Sequence, residues 1–265
     1  MAKLTPYHET TERPAPLSVI QKLIAEQHPQ AEAVFWAGSV SEGLGTQASD
    51  LDLVVVYPVL SHAYRAAYLF DGWPIDLFVH DLDTLRYFFE EENAKSGVPG
   101  LLMMIANGVL VTPPSDFSNA IKQLAQSILA KGPPIWNQET LDKARFFITD
   151  LLDDVCFPRD RMEQLASAME LYEKIVEFYF RAHGKWTASG KCCVRYLNRD
   201  NPAWATAFFH SFDEVFQQRI TESLVCLTQQ LLEPFGGLLW EGYHSAAPQE
   251  ARKAESLSDE KNIMA

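Results

Sequence analysis

The chain has 265 residues, of which 22 are basic and 35 acidic, so its formal net charge at pH 7 is −13. This charge argues against broad binding of nucleic acid, because affinity for a polyanion depends on neutralising phosphates with lysine and arginine. Hydrophobic residues make up 47% of the chain, which is sufficient for a core in each of two modest domains. We therefore expect a soluble protein that binds a small, cationic molecule and no nucleic acid.

Cysteine spacing and the distribution of charge indicate where the protein resides. The four cysteines show neither CxxC spacing nor a secreted disulfide framework, and no histidine pair has the HExxH arrangement of a zinc site. Residues 1–15 carry charges unlike a secretory signal, and the longest uncharged stretch, Gly97–Ser115, is interrupted by proline and glycine. We expect a cytoplasmic protein without a membrane partner. A homodimer and a monomer both remain open.

The first predicted elements lead to a glycine-serine turn. A helix is predicted over Ser18–Gln27 and an apolar strand over Ala33–Ala37. Gly38 allows a tight turn after the strand, and Ser39 places a hydroxyl beside the main-chain N–H groups of a following short helix. Converging N–H groups attract phosphate oxygens, so this turn is predicted to bind phosphate.

A pair of aspartates opens the next strand, with Ser49 directly before it. Asp50 follows Ser39 after ten intervening residues, and Asp50 and Asp52 share one face of the strand, about 7 Å apart. Two such carboxylates repel each other unless a cation neutralises them, so the pair predicts either Mg²⁺ or an exposed strand end. An isolated Asp-x-Asp is more typical of a turn followed by a solvated edge strand.

A β-hairpin supplies a third acid. Tyr68–Phe70, a turn over Asp71–Pro74 and a second strand over Ile75–His80 form the predicted hairpin. In the second strand Asp76 lies on the face opposite three branched aliphatic side chains. We expect pairing with a neighbouring strand to bring Asp76 close to the aspartate pair, which distinguishes a metal site from a surface acid.

The chain is predicted to divide at the proline pair of residues 113–115. A helix over Thr84–Asn93, a helix over Leu101–Ala106 and a strand over Val109–Thr112 complete a first domain, residues 1–115. Residues 116–245 are predicted to form a helical domain that binds substrate or nucleotide. Residues 246–265 are predicted to be a flexible tail, because they are rich in Ser, Asp and Glu.

Apolar periodicity predicts helices through most of the second domain. They cover Asp116–Lys131, Asn137–Cys156, the segment between Pro158 and His183, Pro202–Phe212 and Asp213–Leu232. In the third of these helices the apolar stripe predicts the spine of a helical bundle and consists of Met162, Leu165, Met169, Tyr172, Val176 and Tyr179. The acids Asp150, Asp153 and Asp154 form a cluster that is predicted to be a solvated face, with binding of a cationic substrate as the alternative.

The densest basic patch of this half is Lys185–Lys191, with Arg195 one turn further along. It has two readings that the sequence does not separate. In the first reading, Lys191 and Arg195 face the site and bind a triphosphate, with Trp186 stacked on a base or sugar. In the second reading, the segment is a loop before a helix that carries two surface cations.

The Gly38-Ser39 turn, the ten-residue gap and Asp50-Leu51-Asp52-Leu53 together resemble the signature of the polymerase β-type nucleotidyltransferase superfamily. The resemblance covers roughly residues 30–115, and this region is similar to the antibiotic nucleotidyltransferases that act on aminoglycosides and lincosamides. It implies an α+β fold, with an N-terminal nucleotidyltransferase domain of a mixed sheet flanked by helices, followed by a C-terminal helical bundle.

The resemblance also implies a metal-dependent reaction. Asp50, Asp52 and Asp76 are expected to be catalytic and to hold two Mg²⁺ ions about 4 Å apart, one activating the acceptor hydroxyl and one binding the nucleoside triphosphate. A nucleoside monophosphate, AMP from ATP, would pass to a hydroxyl of a small molecule with release of pyrophosphate. The residues expected to bind the nucleotide are Gly38, Ser39, Ser49, Lys191 and Arg195.

The general base and the acceptor stay open at this point. Asp76 is one candidate for the base, and the competitors are Asp81, Asp83, Glu90 and an acid from the second domain. An alternative activity is nucleotidylation of a protein, as in toxin-antitoxin systems, although the helical half lacks their Arg-x₄₋₆-His ribonuclease motif. The alternative from another class is a non-catalytic nucleotide-binding or interaction protein, which loss of a carboxylate would have favoured.

Overall fold

The computed structural model describes residues 13–248 and residue 251. Its chain forms two compact units. Unit 1 contains the residues up to Trp136 and the segment Val176–Ala205, and unit 2 contains Asn137–Ile175 and the residues from Thr206 onward. The predicted absence of a signal in residues 1–12, and most of the predicted tail, fall outside the described residues. The predicted domain boundaries stay predictions, because compact packing does not show which segments fold independently.

The fold is α+β, as predicted, with a mixed five-stranded sheet and a helical C-terminal region. The strands are β1 (Ala33–Ala37), β2 (Leu51–Val56), β3 (Tyr64–Phe70), β4 (Trp73–His80) and β5 (Val109–Leu110). The helices are α1 (Pro16–Gln27), α2 (Gly38–Ser41), α3 (Leu82–Tyr87), α4 (Asn93–Ser96), α5 (Gly100–Asn107), α6 (Asp116–Lys131), α7 (Gln138–Cys156), α8 (Arg161–Arg181), α9 (Cys192–Asp200), α10 (Pro202–Gln218) and α11 (Glu222–Leu232). Among the described residues, every helix is too short or too polar to span a lipid bilayer.

The sheet of unit 1 has the strand order β3-β4-β2-β1-β5, and only the β2–β4 pair is parallel. Both of its faces are buried. One face packs on α1 through Val19, Ile20 and Leu23, and the other packs on α5 and α6 through residues such as Ile105 and Ile121. Burial on both faces explains why β2 is a nearly continuous run of β-branched and aliphatic side chains after its first two residues.

The β3–β4 hairpin is longer and its turn tighter than predicted. Asp71 and Gly72 have φ angles of 46° and 79°, so they alone form a two-residue turn of the type that matches the twist of the strands. Trp73 and Pro74, which were predicted to lie in the turn, therefore begin β4, and β3 begins at Tyr64 rather than at Tyr68.

Other boundaries in unit 1 also differ from the prediction. The predicted helix Thr84–Asn93 begins earlier, because the side chain of Asp81 accepts a hydrogen bond from the Thr84 N–H at 2.9 Å and caps α3. It continues as a π-helical turn over Phe88–Glu92 and then as α4. The predicted strand Val109–Thr112 is shortened to Val109–Leu110, while the prediction of α6 over Asp116–Lys131 is confirmed.

Unit 2 is helical, and two predictions about its helices were wrong in whole or in part. The predicted break between Phe212 and Asp213 does not exist, because Phe208, Phe212 and Val215 continue one buried stripe through α10. The chain instead turns at Arg219, whose φ of 64° ends the helix.

The predicted spine of α8 coincides with the buried face only in part, because Val176 is 1% exposed and Tyr172 packs against Phe208, but the two methionines lie outside that face. Met162 and Met169 are 72% and 60% exposed, whereas the fully buried side chains on α8 include Ala168, Leu171 and Ile175. The helix carries two parallel apolar rows, and periodicity alone does not select which of them faces a core.

Candidate active site

Strand pairing in unit 1 brings the three predicted acids together. In the parallel β2–β4 pair, Asp52 lies opposite Asp76, and Asp50 immediately precedes β2. One carboxylate oxygen from each of the three residues lies within 4.8 Å of the others. Asp76 is 8% exposed, and the other two are half-buried. The cluster therefore stands at the end of two central strands rather than on an exposed sheet edge.

Gly38 permits this packing because the carboxylate of Asp52 occupies the place of a side chain. Gly38 has a φ of 77°, and a Cβ atom built on it would lie 1.8 Å from Asp52 Oδ2. Any other residue at position 38 would displace that carboxylate and would also adopt a left-handed conformation unfavourable for a side chain. The glycine thus controls the geometry of the acid cluster as well as the turn.

The acids destabilise one another electrostatically. Burial first, and then the charges of Asp50 and Asp76, raise the pKa of Asp52 to about 7. Lys191 and Arg65 act in the opposite direction. Three convergent carboxylates provide hard oxygen ligands, and a divalent cation would relieve their repulsion. The donor set of this cluster therefore fits Mg²⁺ chemistry.

Arg65, which the sequence analysis did not consider, contacts the third acid. Its Nε and Nη2 donate to Asp76 Oδ1 and Oδ2 at 2.8 and 2.6 Å, and its guanidinium lies 4.7 Å from the centre of the Phe78 ring. Such a bidentate pair fixes the plane of the carboxylate. With Asp71-Gly72 taken as a two-residue turn, the hairpin register places Arg65 diagonally across from Asp76, so the signal for this contact was present in the sequence.

The predicted serines stabilise the loop between α2 and β2. Ser39 Oγ lies 3.2 Å from Ser49 Oγ, and Ser49 Oγ accepts a hydrogen bond from the Thr46 N–H at 2.8 Å. Ser49 is buried and its hydroxyl organises the loop, and its predicted contribution to nucleotide binding stays a prediction. The contribution of Gly38 and Ser39 to nucleotide binding stays a prediction.

The predicted basic patch separates into residues with different roles. Lys191, at the N-terminus of α9, is exposed and influences the pKa of Asp52, which places its charge near the acid cluster. Arg195 donates to Cys192 Sγ at 3.3 Å within the same helix. Lys185 pairs with Asp200 at 2.6 Å, and the Trp186 indole N–H donates to the Leu129 carbonyl at 3.0 Å. Nucleotide binding by Lys191 and Arg195 stays a prediction.

The remaining candidate acids are in other environments. Asp81 caps α3 and also accepts from the Leu60 N–H at 3.0 Å, and Asp83 and Glu90 are exposed. In unit 2, Asp153 and Asp154 are exposed, as the predicted solvated face requires, whereas Asp150 is half-buried.

Comparisons with known proteins give limited information about this chain. No family model and no curated protein matches it. A solved structure that is similar is that of a nucleotidyltransferase-like protein from Exiguobacterium sibiricum 255-15. The two share 11% identity over 83% of this chain and 75% of the other, with a TM-score of 0.42. A similarity this low carries no argument about function, so the conclusions below rest on the geometry of the site.

Proposed function

We propose that this protein transfers a nucleoside monophosphate, AMP from ATP, to a hydroxyl group of a small molecule. The observation that supports this function is the convergence of Asp50, Asp52 and Asp76 beside the backbone of Gly38. A carboxylate cluster next to a glycine turn combines a cation site with a place where a phosphate chain approaches the main chain.

Asp50, Asp52 and Asp76 would hold Mg²⁺, which when bound supplies positive charge that stabilises phosphoryl oxygens. The protein's own contribution is to position the reactants. The Gly38-Ser39 turn accommodates a phosphate close to the main chain, and Lys191 adds a positive charge near the acid cluster. Arg65 fixes the carboxylate plane of Asp76, so we assign Asp76 to cation binding and not to proton abstraction.

The proposed reaction is a substitution at the α-phosphorus. The acceptor oxygen forms a bond to phosphorus, the bond from phosphorus to the bridging oxygen breaks, and pyrophosphate leaves with that electron pair. The acceptor proton passes to a base or to solvent. The rate of such a transfer depends mainly on alignment and on electrostatic stabilisation of the phosphoryl oxygens.

Pyrophosphate release tests the proposal directly. The assay contains Mg²⁺, one of ATP, GTP, CTP or UTP, and a panel of aminoglycosides, lincosamides and simple alcohols. We expect release that requires both a nucleotide and an acceptor, with loss of activity in Asp52→Asn. Asp116→Asn is the matched control, because Asp116 is an exposed acid at the start of α6. Release that persists unchanged in Asp52→Asn would reject the proposed chemistry.

The same assay separates the proposal from a non-catalytic role. A protein that binds ATP and Mn²⁺, but releases no pyrophosphate with any acceptor, is a nucleotide-binding protein with an intact acid cluster. A protein substrate would instead appear as a labelled polypeptide when ATP radiolabelled at the α-phosphorus is added to the purified chain and a cell extract.

A further inference from the structure

A cavity of about 440 Å³ in unit 1 lies beside α9, the helix that carries Lys191 at its N-terminus. Its volume is typical of a pocket for a small organic ligand. The walls come from α5, α6, α8, α9 and the loop before α9, and the residues that form them include Met103, Leu129, Phe180, Trp186, Tyr196 and Arg199. Three of these side chains are aromatic, so the cavity presents ring surfaces to a ligand.

The aromatic walls are held in place by specific contacts. The rings of Phe180 and Tyr196 meet edge to face, with centroids 6.2 Å apart. The Trp186 indole N–H donates a hydrogen bond to the Leu129 carbonyl, and this bond orients the indole in the cavity wall. Rigid aromatic surfaces of this kind favour a flat ring as ligand, because little side-chain entropy is lost on binding.

The charges at the cavity leave one cation without a counterion. Asp200 Oδ1 accepts from Lys185 at 2.6 Å, and Asp200 Oδ2 accepts from the Tyr179 hydroxyl at 2.8 Å, so this acid is neutralised. Arg199 lines the same cavity and has no hydrogen bond or ion pair within residues 13–248. A guanidinium is well suited to bind a carboxylate in a bidentate manner.

The position of the cavity along α9 separates it from the phosphate region. Lys191 at the beginning of this helix is the cation that acts on Asp52, and Arg199 lies eight residues further along. At 1.5 Å per residue, the two positions are about 12 Å apart along the helix axis. Arg199 is therefore a cation of the cavity that is distinct from the one near the acid cluster.

We propose that this cavity binds the acceptor, and that the acceptor is an aromatic molecule with a carboxylate held by Arg199. This inference rests on the proposed function, because it names the substrate class of the same reaction. It also differs from the polycationic acceptors that the acidic composition suggested, since the free charge in the cavity is positive.

Binding of three simple probes tests the assignment. Benzoate carries a ring and a carboxylate, benzyl alcohol carries the ring alone, and acetate carries the carboxylate alone. We expect ligand-observed NMR titrations to give a Kd for benzoate at least tenfold lower than for either other probe. Arg199→Ala should raise the Kd for benzoate about tenfold and change that for benzyl alcohol less than twofold. Arg86→Ala, an exposed arginine on α3, is the control and should change neither.

Several outcomes would overturn the assignment. Equal affinity for benzoate and benzyl alcohol would show that no anion subsite exists, and an unchanged benzoate Kd in Arg199→Ala would exclude Arg199 as its partner. Full competition between benzoate and a non-hydrolysable ATP analogue would assign the cavity to the nucleobase instead. Unchanged Mn²⁺ affinity in each variant confirms that unit 1 is folded.

Transfer assays keep this inference separate from the proposed function. With 4-hydroxybenzoate as acceptor, Arg199→Ala should raise KM about tenfold with little change in kcat. Pyrophosphate release that depends on an aminoglycoside and is insensitive to Arg199 would reject the cavity assignment alone. Absence of release with every nucleotide and acceptor, while benzoate still binds, would reject the transferase proposal and the acceptor role together.

Discussion

Two arginine-acid arrangements, one in each unit, show how the same residue types serve different purposes. Arg145 in unit 2 is 7% exposed, and it donates to Asp142 Oδ1 and to the carbonyls of Gly236 and Gly237 at 2.7, 2.7 and 2.8 Å. Each of the three guanidinium nitrogens donates one hydrogen bond, and Asp142 balances the charge. Arg65 in unit 1 is more exposed and faces an excess of acids.

The contrast between these two arrangements indicates which of them serves stability and which serves ligand binding. A buried charge with all its partners stabilises a fold or at least fixes its geometry, whereas clustered like charges cost stability and persist where a ligand requires them. Changes at the acid cluster should therefore alter activity and leave or increase stability. Changes at Arg145 should do the opposite.

The largest expected effect is on catalysis by Asp52→Asn. Loss of this carboxylate should lower kcat/KM at least about a thousandfold, which corresponds to about 4 kcal/mol of transition-state stabilisation. In the absence of metal, urea denaturation at pH 8 should show the variant more stable than wild type by about 2 kcal/mol. The sign follows from the raised pKa of Asp52, because the folded state holds this proton more tightly than the unfolded chain and loses that stabilisation as the pH rises from about 4 through about 7. A variant that is both inactive and less stable would contradict this explanation.

The next largest expected effect is the loss of unfolding free energy in Arg145→Met. The variant should lose about 3 kcal/mol of unfolding free energy, because the carbonyls of Gly236 and Gly237 and the carboxylate of Asp142 lose the donor that a buried guanidinium gives them. Arg159→Met, which removes an exposed ion pair to Glu163, should cost less than about 0.5 kcal/mol. Mn²⁺ affinity at the acid cluster should stay at the wild-type value in both variants.

Acid destabilisation should come largely from His80. Burial lowers the pKa of His80 to about 4, from an ordinary value of 6.5. Because the unfolded chain binds the proton first, stability should fall as the pH decreases from about 6.5 to 4, by up to about 3 kcal/mol. Urea denaturation at pH 7 and at pH 5 measures this loss. His80→Gln should show a smaller difference between the two pH values, and an equal difference would exclude His80.

The smallest expected effect distinguishes backbone strain from displacement of the Asp52 carboxylate, by comparing alanine substitutions at two glycines. Gly38→Ala and Gly43→Ala both place alanine at a positive φ, which costs about 1–2 kcal/mol. A Cβ at Gly43 meets nothing within 4 Å, whereas at Gly38 it would collide with Asp52. We therefore expect Mn²⁺ affinity, measured by isothermal titration calorimetry, to fall at least tenfold only in Gly38→Ala. Equal loss in both variants would show that the turn, and not the position of the carboxylate, controls the site.

Local sequence patterns predicted much of the secondary structure of unit 1. Alternation along β2 placed Asp50 and Asp52 on one side, and the helical pattern with its Gly132-Pro133-Pro134 stop predicted α6 with its observed bounds. These features depend on neighbours within a few residues, where propensity and side-chain direction act directly. The spine of α8 was predicted only in part for a related reason, since two apolar rows fit the same period and only packing distinguishes them.

Short-range backbone preference and charge were enough to predict from the sequence the strands of unit 1, the glycine turn and the chemical nature of the acids. Tertiary structure decided the rest. The parallel register that sets Asp76 beside Asp52, the bidentate contact of Arg65, and the cavity with Arg199 all join residues distant in the chain. Their positions depend on which strands and helices pack together, and that choice is made by burial summed over the whole core rather than by any local pattern.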